Sequence, residues 1–191
     1  MEKSGWYSRG YLPHFDVPGL VQSITIRLFD SLPRAVVHSV LSEIKHLPED
    51  CQDLERRKRF ESYLDRGYGA CWLSKPEIAS CVEERLLAGD ADTYMLLAWT
   101  IMPNHVHAII ELADETTLSE MLGGWKGATS RSANIMLGRS GPFWYREYHD
   151  RYIRDDAHLR NAVRYVHDNP VKARLCARAA DWPFGSARLG P

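Results

Sequence analysis

His105 and His107 are separated by one residue in the stretch HVHAIIE. On a strand, alternation puts both imidazoles on one face, about 6–7 Å apart at the backbone, where they can converge on one ion. Val106, Ala108 and Ile110 then point the other way, into a core. Two solvated histidines on a polar strand face satisfy the same spacing, so His-x-His alone leaves the matter open. Near the C-terminus, YVHDN places Tyr165 and Asn169 four residues apart. On a helix they share a face and pair a phenolic nucleophile with an amide oxygen able to ligate a hard cation. Here too another reading stands beside it, with Tyr165 a core-facing aromatic and Asn169 a helix end set by Pro170. Cys51, Cys71, Cys81 and Cys176 form no C-x-x-C pair and no zinc spacing, and read as buried, reduced thiols.

These side chains need elements to hold them. Residues 22–29 (QSITIRLF) alternate polar and apolar types and predict a half-buried strand. Residues 34–47 carry Val37, Val40, Leu41 and Ile44 at helical spacing, and a charged helical stretch over 53–65 is broken from them at Pro48. Pro76 opens a helix that runs to about Ala88, closed by Gly89-Asp90. Residues 94–102 (YMLLAWTIM) are nearly all apolar and predict a central strand buried on both faces. A turn at Pro103-Asn104 returns the chain as the His-x-His strand. Residues 118–137 are helical with a soft spot at Gly123-Gly124, 143–153 strand-like, and 157–168 helical up to Asn169-Pro170, which ends or kinks the helix. The order strand, helices, strand, strand, helix, strand, helix predicts an α+β fold. It is a ferredoxin-like split βαβ sandwich with an antiparallel central sheet and an inserted helical segment. One domain over 1–191 is expected, with the insertion at about 48–92 and a C-terminal tail at 170–191.

The 191 residues are 45% hydrophobic and 26% charged, which excludes a disordered or collagen-like chain. The longest apolar runs are too short for a bilayer, and the N-terminal MEKSGWYSRG lacks the apolar core of a secretory signal, so no membrane association and a cytoplasmic location are expected. The net charge of −1 hides a split: residues 123–178 hold 11 Lys and Arg against 5 Asp and Glu, while the remainder is acidic. Local cations bind phosphate whatever the whole-chain sum, so this third is a candidate polyanion surface, or a set of solvated helix faces.

Taken together, the stretches GWYSRGYLPHFDVPGLVQSITIRLFDSLP, YMLLAWTIMPNHVHAII, WYREYHDRYIRDDAHLRNAVRYVHDNPVKARL and DWPFGSARLG resemble the REP-associated tyrosine transposases of the HUH nuclease superfamily. The resemblance covers nearly the whole chain, and MPNHVH followed by YVHDNPVKA is its most specific part. It implies that His105 and His107 bind a divalent metal, that Asn169 is the third ligand, and that Tyr165 is the catalytic nucleophile. Arg174 departs from the Gly that often follows NPVKA in that family. A donor set of two imidazoles and an amide oxygen suits Mg²⁺ or Mn²⁺. A divalent ion withdraws charge from a phosphodiester, and a tyrosine that forms a 5′-phosphotyrosine conserves the bond energy for rejoining.

The resemblance further implies single-stranded or hairpin (REP-like) DNA as partner, for a monomer or homodimer. The candidate phosphate contacts by charge are Lys126, Arg131, Arg146, Arg151, Arg154, Lys172 and Arg174, interleaved with Trp125, Phe143, Trp144, Tyr145 and Tyr148 as stacking candidates. A proton acceptor for Tyr165 is not evident; His167 lies about 200° around the helix. The resulting expectation is a metal-dependent DNA-nicking and strand-joining transposase. The alternative is a catalytically silent nucleic-acid-binding module on the same fold.

Overall fold

A computed structural model describes residues 6–8, 13–15, 19–114 and 116–190. A short antiparallel pair, β1 (Trp6–Ser8) and β2 (Pro13–Phe15), precedes the main sheet. Much of the N-terminal stretch read for a secretory signal lies outside the described residues. The main sheet contains β3 (Val21–Arg27), β4 (Tyr94–Ile101), β5 (His105–Leu112) and β6 (His149–Tyr152), in the spatial order β4-β5-β3-β6. All three pairings are antiparallel, as the ferredoxin-like reading requires.

The helices are α1 (Arg34–Ile44), α2 (Glu49–Leu64), α3 (Pro76–Leu87), α4 (Leu118–Met136) and α5 (Asp156–Lys172). One sheet face, carrying Ile24, Ile26, Val106, Ala108 and Ile110, packs with α3 and α4 through Ile78, Val82, Leu86, Leu118, Leu122 and Trp125. The opposite face is covered by α5, whose Val166 joins Ala98 and Ile109. α1 and α2 bury Val40, Ile44, Phe60 and Leu64 in a cluster of their own. The helix on the sheet between β3 and β4 is therefore α3, inside the 48–92 stretch expected as the insertion, and the pair that stands apart is α1 with α2.

Several local expectations differ from the structure. β4 is an edge strand, because its apolar character is satisfied from a different direction: the C-terminal tail lies along its outer side. Ile101 N–H donates to Phe184 O at 2.8 Å, Trp182 Nε1 donates to Ile101 O at 3.1 Å, and Thr100 bridges Gly185. A Cβ at Gly185 would meet Trp99 O and Thr100 Oγ1 at 3.3 Å, tight enough that a side chain would push the tail from β4 by a few tenths of an ångström. Arg188 then closes the tail on α3 with a two-pronged contact to Glu83 at 2.7 and 3.1 Å. Secondly, α4 is unbroken at Gly123-Gly124. A Thr117–Glu120 capping box starts it, and burial of Leu118, Met121, Leu122 and Trp125 outweighs a glycine penalty of about 1 kcal/mol each.

Thirdly, α5 runs through Pro170 to Lys172. Proline in the final turn removes one N–H donor, and the end is still closed: Arg174 N–H donates to Val171 O and Leu175 N–H to Pro170 O, both near 2.9 Å. Arg174 occupies the left-handed position of that closure at φ 60°, the place where glycine is favoured. The segment 143–153 forms regular strand only at its end; Phe143, Trp144 and Tyr148 are buried core residues. The four cysteines are free, but Cys51 is exposed and the other three are half-buried, so they are not core thiols.

Candidate active site

β5 lies inside the sheet between β3 and β4, and its His face is the one beneath α5. The histidines are not solvated: His105 and His107 are 1% and 2% exposed. Their Nε2 atoms approach to 3.0 Å, and each ring is held through its other nitrogen. His105 Nδ1 is 2.7 Å from Asn104 Oδ1, while Asn104 Nδ2 donates to the carbonyls of Leu64 (3.2 Å) and Tyr68 (3.0 Å). Two carbonyl acceptors oblige the amide nitrogen to face them, so Asn104 Oδ1 faces His105 and takes its Nδ1 proton. The Nε2 lone pair of His105 is thereby aimed at the site. His107 Nδ1 is 2.8 Å from Thr25 Oγ1, its register partner on β3. A hydroxyl both gives and takes, so His107 is free to present either tautomer.

Burial holds both imidazoles neutral. His107 is pushed down to about 4, and His105 well below its ordinary value by burial and then by its neighbour His107. Neutral imidazole is the form that ligates a cation.

Tyr165 comes from α5 and meets His107 edge-on, ring centroids 5.5 Å apart. One turn on, Asn169 is 1% exposed, and neither its amide oxygen nor its nitrogen has a hydrogen bond of ordinary geometry. A buried amide left orphaned costs about 1–3 kcal/mol unless something completes it. Among the described residues no three His, Cys, Asp or Glu side chains stand together as a metal cluster. A third protein ligand beside the His pair would be of another type, and the unpartnered amide oxygen of Asn169, one turn from Tyr165, is of a chemistry that would serve. The donor set fits a divalent cation on these grounds.

Burial first, and then the charges of Glu61 and Asp65 on α2, push the Tyr165 phenol well above its ordinary value, with a further push from a hydrogen bond to Glu61. The Lys172 ammonium lies 4.8 Å from the Tyr165 ring centre. A cleft of about 250 Å³ opens over this centre between β3, β6, α2 and α5, bordered by Thr25, Arg57, Lys58, Glu61, His107, Arg151, His158 and Tyr165. A second cleft on the far side of Tyr165 is bordered by Lys58, Glu61, Asp65, Arg66, Lys172 and Arg174.

The cations proposed from charge thus separate into groups. Arg151, Lys172 and Arg174 border the two clefts at Tyr165. Lys126 and Arg146 border another depression with Trp144 and Tyr145. Lys126 is engaged there, donating to Arg146 O at 2.8 Å, and burial pushes it down to about 8. Arg131 and Arg154 are exposed and border none of these clefts. Of the stacking candidates, Trp125, Phe143, Trp144 and Tyr148 are buried, with the Trp125 indole N–H donating to Tyr94 Oη and that of Trp144 to Thr129 Oγ1. Tyr145 is half-buried beneath the Arg27 guanidinium, 3.5 Å from its ring centre. His167 is turned away to Ser186 Oγ at 2.9 Å.

Sequence reasoning missed Asn104, Thr25 and the α2 residues Arg57, Lys58 and Glu61. Asn104 and Thr25 left a faint signal, an amide immediately before the His pair and a polar position on an alternating strand. The α2 residues left none, since a mixed-charge helix reads the same wherever it docks.

Comparison with known proteins defines the class first. Residues 82–169 match the family model described as IS200-like transposase, a span that begins in α3 and ends on Asn169. Over that span the chain is similar to the IS200-like transposases. A Haemophilus influenzae protein named as a REP-associated tyrosine transposase is 28% identical over 102 residues, 47% of this chain and 57% of its own length. The chain therefore spans little more than half of that relative. The solved structure of a REP-associated tyrosine transposase bound to a REP hairpin matches with a TM-score of 0.55 at 17% identity, over 96% of this chain and 82% of that one. At that identity the match shows the fold, and the resemblance drawn from the motifs is borne out.

Proposed function

We propose that the chain is a metal-dependent transposase that nicks and rejoins single-stranded, hairpin-bearing DNA through a 5′-phosphotyrosine at Tyr165. The observation that carries this reading is the joining of a fixed, neutral His105–His107 pair to Tyr165 at a 5.5 Å ring contact within one chain. His105, His107 and Asn169 would hold the divalent cation, Mg²⁺ or Mn²⁺. Once bound, it withdraws charge from the scissile phosphodiester and orients it. Asn104 and Thr25 hold the two imidazoles, and α5 sets Tyr165 against His107. Arg151 on one side and Lys172 with Arg174 on the other are placed to hold the phosphates flanking the attacked one, joined by Arg57 and Lys58. Lys126, Arg131, Arg146 and Arg154 lie away from these clefts, as candidates for the paired stem of a hairpin.

A catalytically silent DNA-binding module on this fold gains nothing from an orphaned buried amide and two imidazoles held neutral. Incubation of the chain with a labelled hairpin oligonucleotide and Mn²⁺ tests the proposal. A covalent adduct that maps to Tyr165 by mass spectrometry, and is lost in Tyr165→Phe while DNA binding persists, is expected. An adduct on Tyr148 or Tyr152, or equal cutting of fully paired duplex, refutes it.

A further inference from the structure

α5 brings Tyr165 and Asn169 to the sheet over a small apolar contact. Val166 meets Ala98 and Ile109, with Leu159, Ala162 and Val163 half-buried beside them. Such burial is non-directional, and sets the depth of the helix more than its slide along the sheet or its roll. Asn169 has no anchor of its own, because neither amide atom makes a hydrogen bond of ordinary geometry. Where its oxygen stands relative to His105 and His107 therefore depends on where α5 stands.

A directional link comes from the C-terminal tail. Trp99 and Ile101 turn their backbone N–H and C=O to the free edge of β4, and the tail takes up all four groups. Ile101 is held by Phe184 O and the Trp182 indole, and Trp99 by the Ser186 hydroxyl. Trp99 N–H donates to Ser186 Oγ at 3.0 Å, and Ser186 Oγ donates to Trp99 O at 3.3 Å. The same oxygen lies 2.9 Å from His167 Nε2 on α5. A hydroxyl has one proton and two lone pairs, so all three bonds are satisfied together when His167 donates from Nε2. Ser186 is buried, and Arg188 fixes the chain beside it by donating to Gly185 O at 2.9 Å while it grips Glu83.

Both ends of this link fall at the site. The tail holds β4 at Trp99 and Ile101, on either side of Thr100, and Thr100 is the register partner of His107. The helix end is His167, midway between Tyr165 and Asn169 in sequence and about 200° around α5 from each. Resting on the reading of His105, His107 and Asn169 as the cation site, we propose that Ser186 is a positioning residue for that site. Its hydroxyl, held on β4, fixes the roll of α5 through His167 and so sets the Asn169 amide against the histidine pair. A ligand oxygen has to stand within about 0.2 Å of its proper distance from a cation, so a small roll of the helix is enough to weaken binding.

Calorimetric titration of the full chain with Mn²⁺ alone, without DNA, tests this. Ser186→Ala is expected to weaken Mn²⁺ binding about 10-fold, the low end of what an outer partner contributes, and His167→Ala to do the same with both Trp99 bonds left in place. His167→Gln keeps a side-chain N–H for Ser186 and should recover most of the affinity. The deciding measurement is the combination with Asn169→Ala. If Ser186 acts through the amide, the double variant Ser186→Ala/Asn169→Ala binds Mn²⁺ no more weakly than Asn169→Ala does. Unchanged affinity in Ser186→Ala or in His167→Ala, a His167→Gln no better than His167→Ala, or losses that multiply in the double variant, as a general loosening would give, overturns the assignment. Should Ser186→Ala fail to fold by near-ultraviolet circular dichroism, the same cycle between His167→Ala and Asn169→Ala decides in its place. Mn²⁺ binding absent from the wild type, or untouched by Asn169→Ala, overturns the reading of the cation site itself. A normal wild type and a weakened Asn169→Ala beside an unaffected Ser186→Ala overturn only the role of Ser186.

Discussion

Asn104→Ala is the most revealing single change, because this side chain joins the fold to the chemistry. Asn104 is 1% exposed and makes hydrogen bonds to His105, Leu64 O and Tyr68 O. Each bond contributes about 1 kcal/mol net, and a buried partner left without one costs about 1–3 kcal/mol. With water able to reach part of the vacated space, the expected loss is about 3–5 kcal/mol, a large share of the roughly 5–15 kcal/mol that holds a domain together. At a urea slope of about 2 kcal/mol per molar, the unfolding midpoint should fall by roughly 2 M with the slope unchanged.

The same variant releases the proton that fixes His105, and loss of such an outer partner weakens metal affinity about 10- to 100-fold. Asn104→Asp separates the two effects. It keeps an acceptor for His105 but turns a carboxylate toward two carbonyls, so Mn²⁺ binding by calorimetry should survive where stability does not. A midpoint drop below about 0.5 M in Asn104→Ala, equivalent to less than about 1 kcal/mol, would refute the structural argument. Unchanged Mn²⁺ affinity in that variant would refute the chemical one.

Four further outcomes are expected. His107 is depressed to about 4, so the unfolded chain binds more protons than the fold between that value and the ordinary 6.5. Metal-free stability should then rise across this window and fall as acid is added, by up to about 3 kcal/mol; a His107→Gln variant whose unfolding midpoints follow the wild-type pH profile would contradict this. Arg174→Gly should gain roughly 0.5–1 kcal/mol by relieving the left-handed residue at φ 60°, while lowering the salt dependence of DNA binding by about one phosphate contact. Both readings come from urea titration and a salt series. Arg188→Ala should cost about 1–2 kcal/mol, because the Glu83 carboxylate keeps only the Trp99 indole N–H, at 2.9 Å, and the tail loosens from β4; amide exchange along residues 182–189 reports it. His105→Ala should abolish cleavage and also lower stability, since the ring is buried; cleavage at the wild-type rate would remove it from the metal site.

How much the sequence determined follows from the range of the forces involved. Alternation on a strand put His105 and His107 on one face, and helical spacing put Tyr165 and Asn169 on another, because side-chain direction within an element is fixed by the backbone alone. The order of elements likewise pointed to the antiparallel sandwich, and the motifs to the resemblance with REP-associated tyrosine transposases. Which surfaces meet was decided only by tertiary packing. An apolar run such as Tyr94–Ile101 reads as central whether its outer side is covered by a strand or, as here, by the tail at 182–189.

Four aromatics that pattern equally well as base-stacking residues went into the core, where burying their large apolar area is worth most. The mixed-charge stretch at 49–64 carries no hint that it would deliver Arg57, Lys58 and Glu61 to Tyr165; that follows from Asn104 reaching across to Leu64 O, a contact spanning 40 residues. Local chemistry is written residue by residue, but a site assembled from β3, β5, α2 and α5 exists only once long-range hydrogen bonds and burial choose one docking among those the pattern allows.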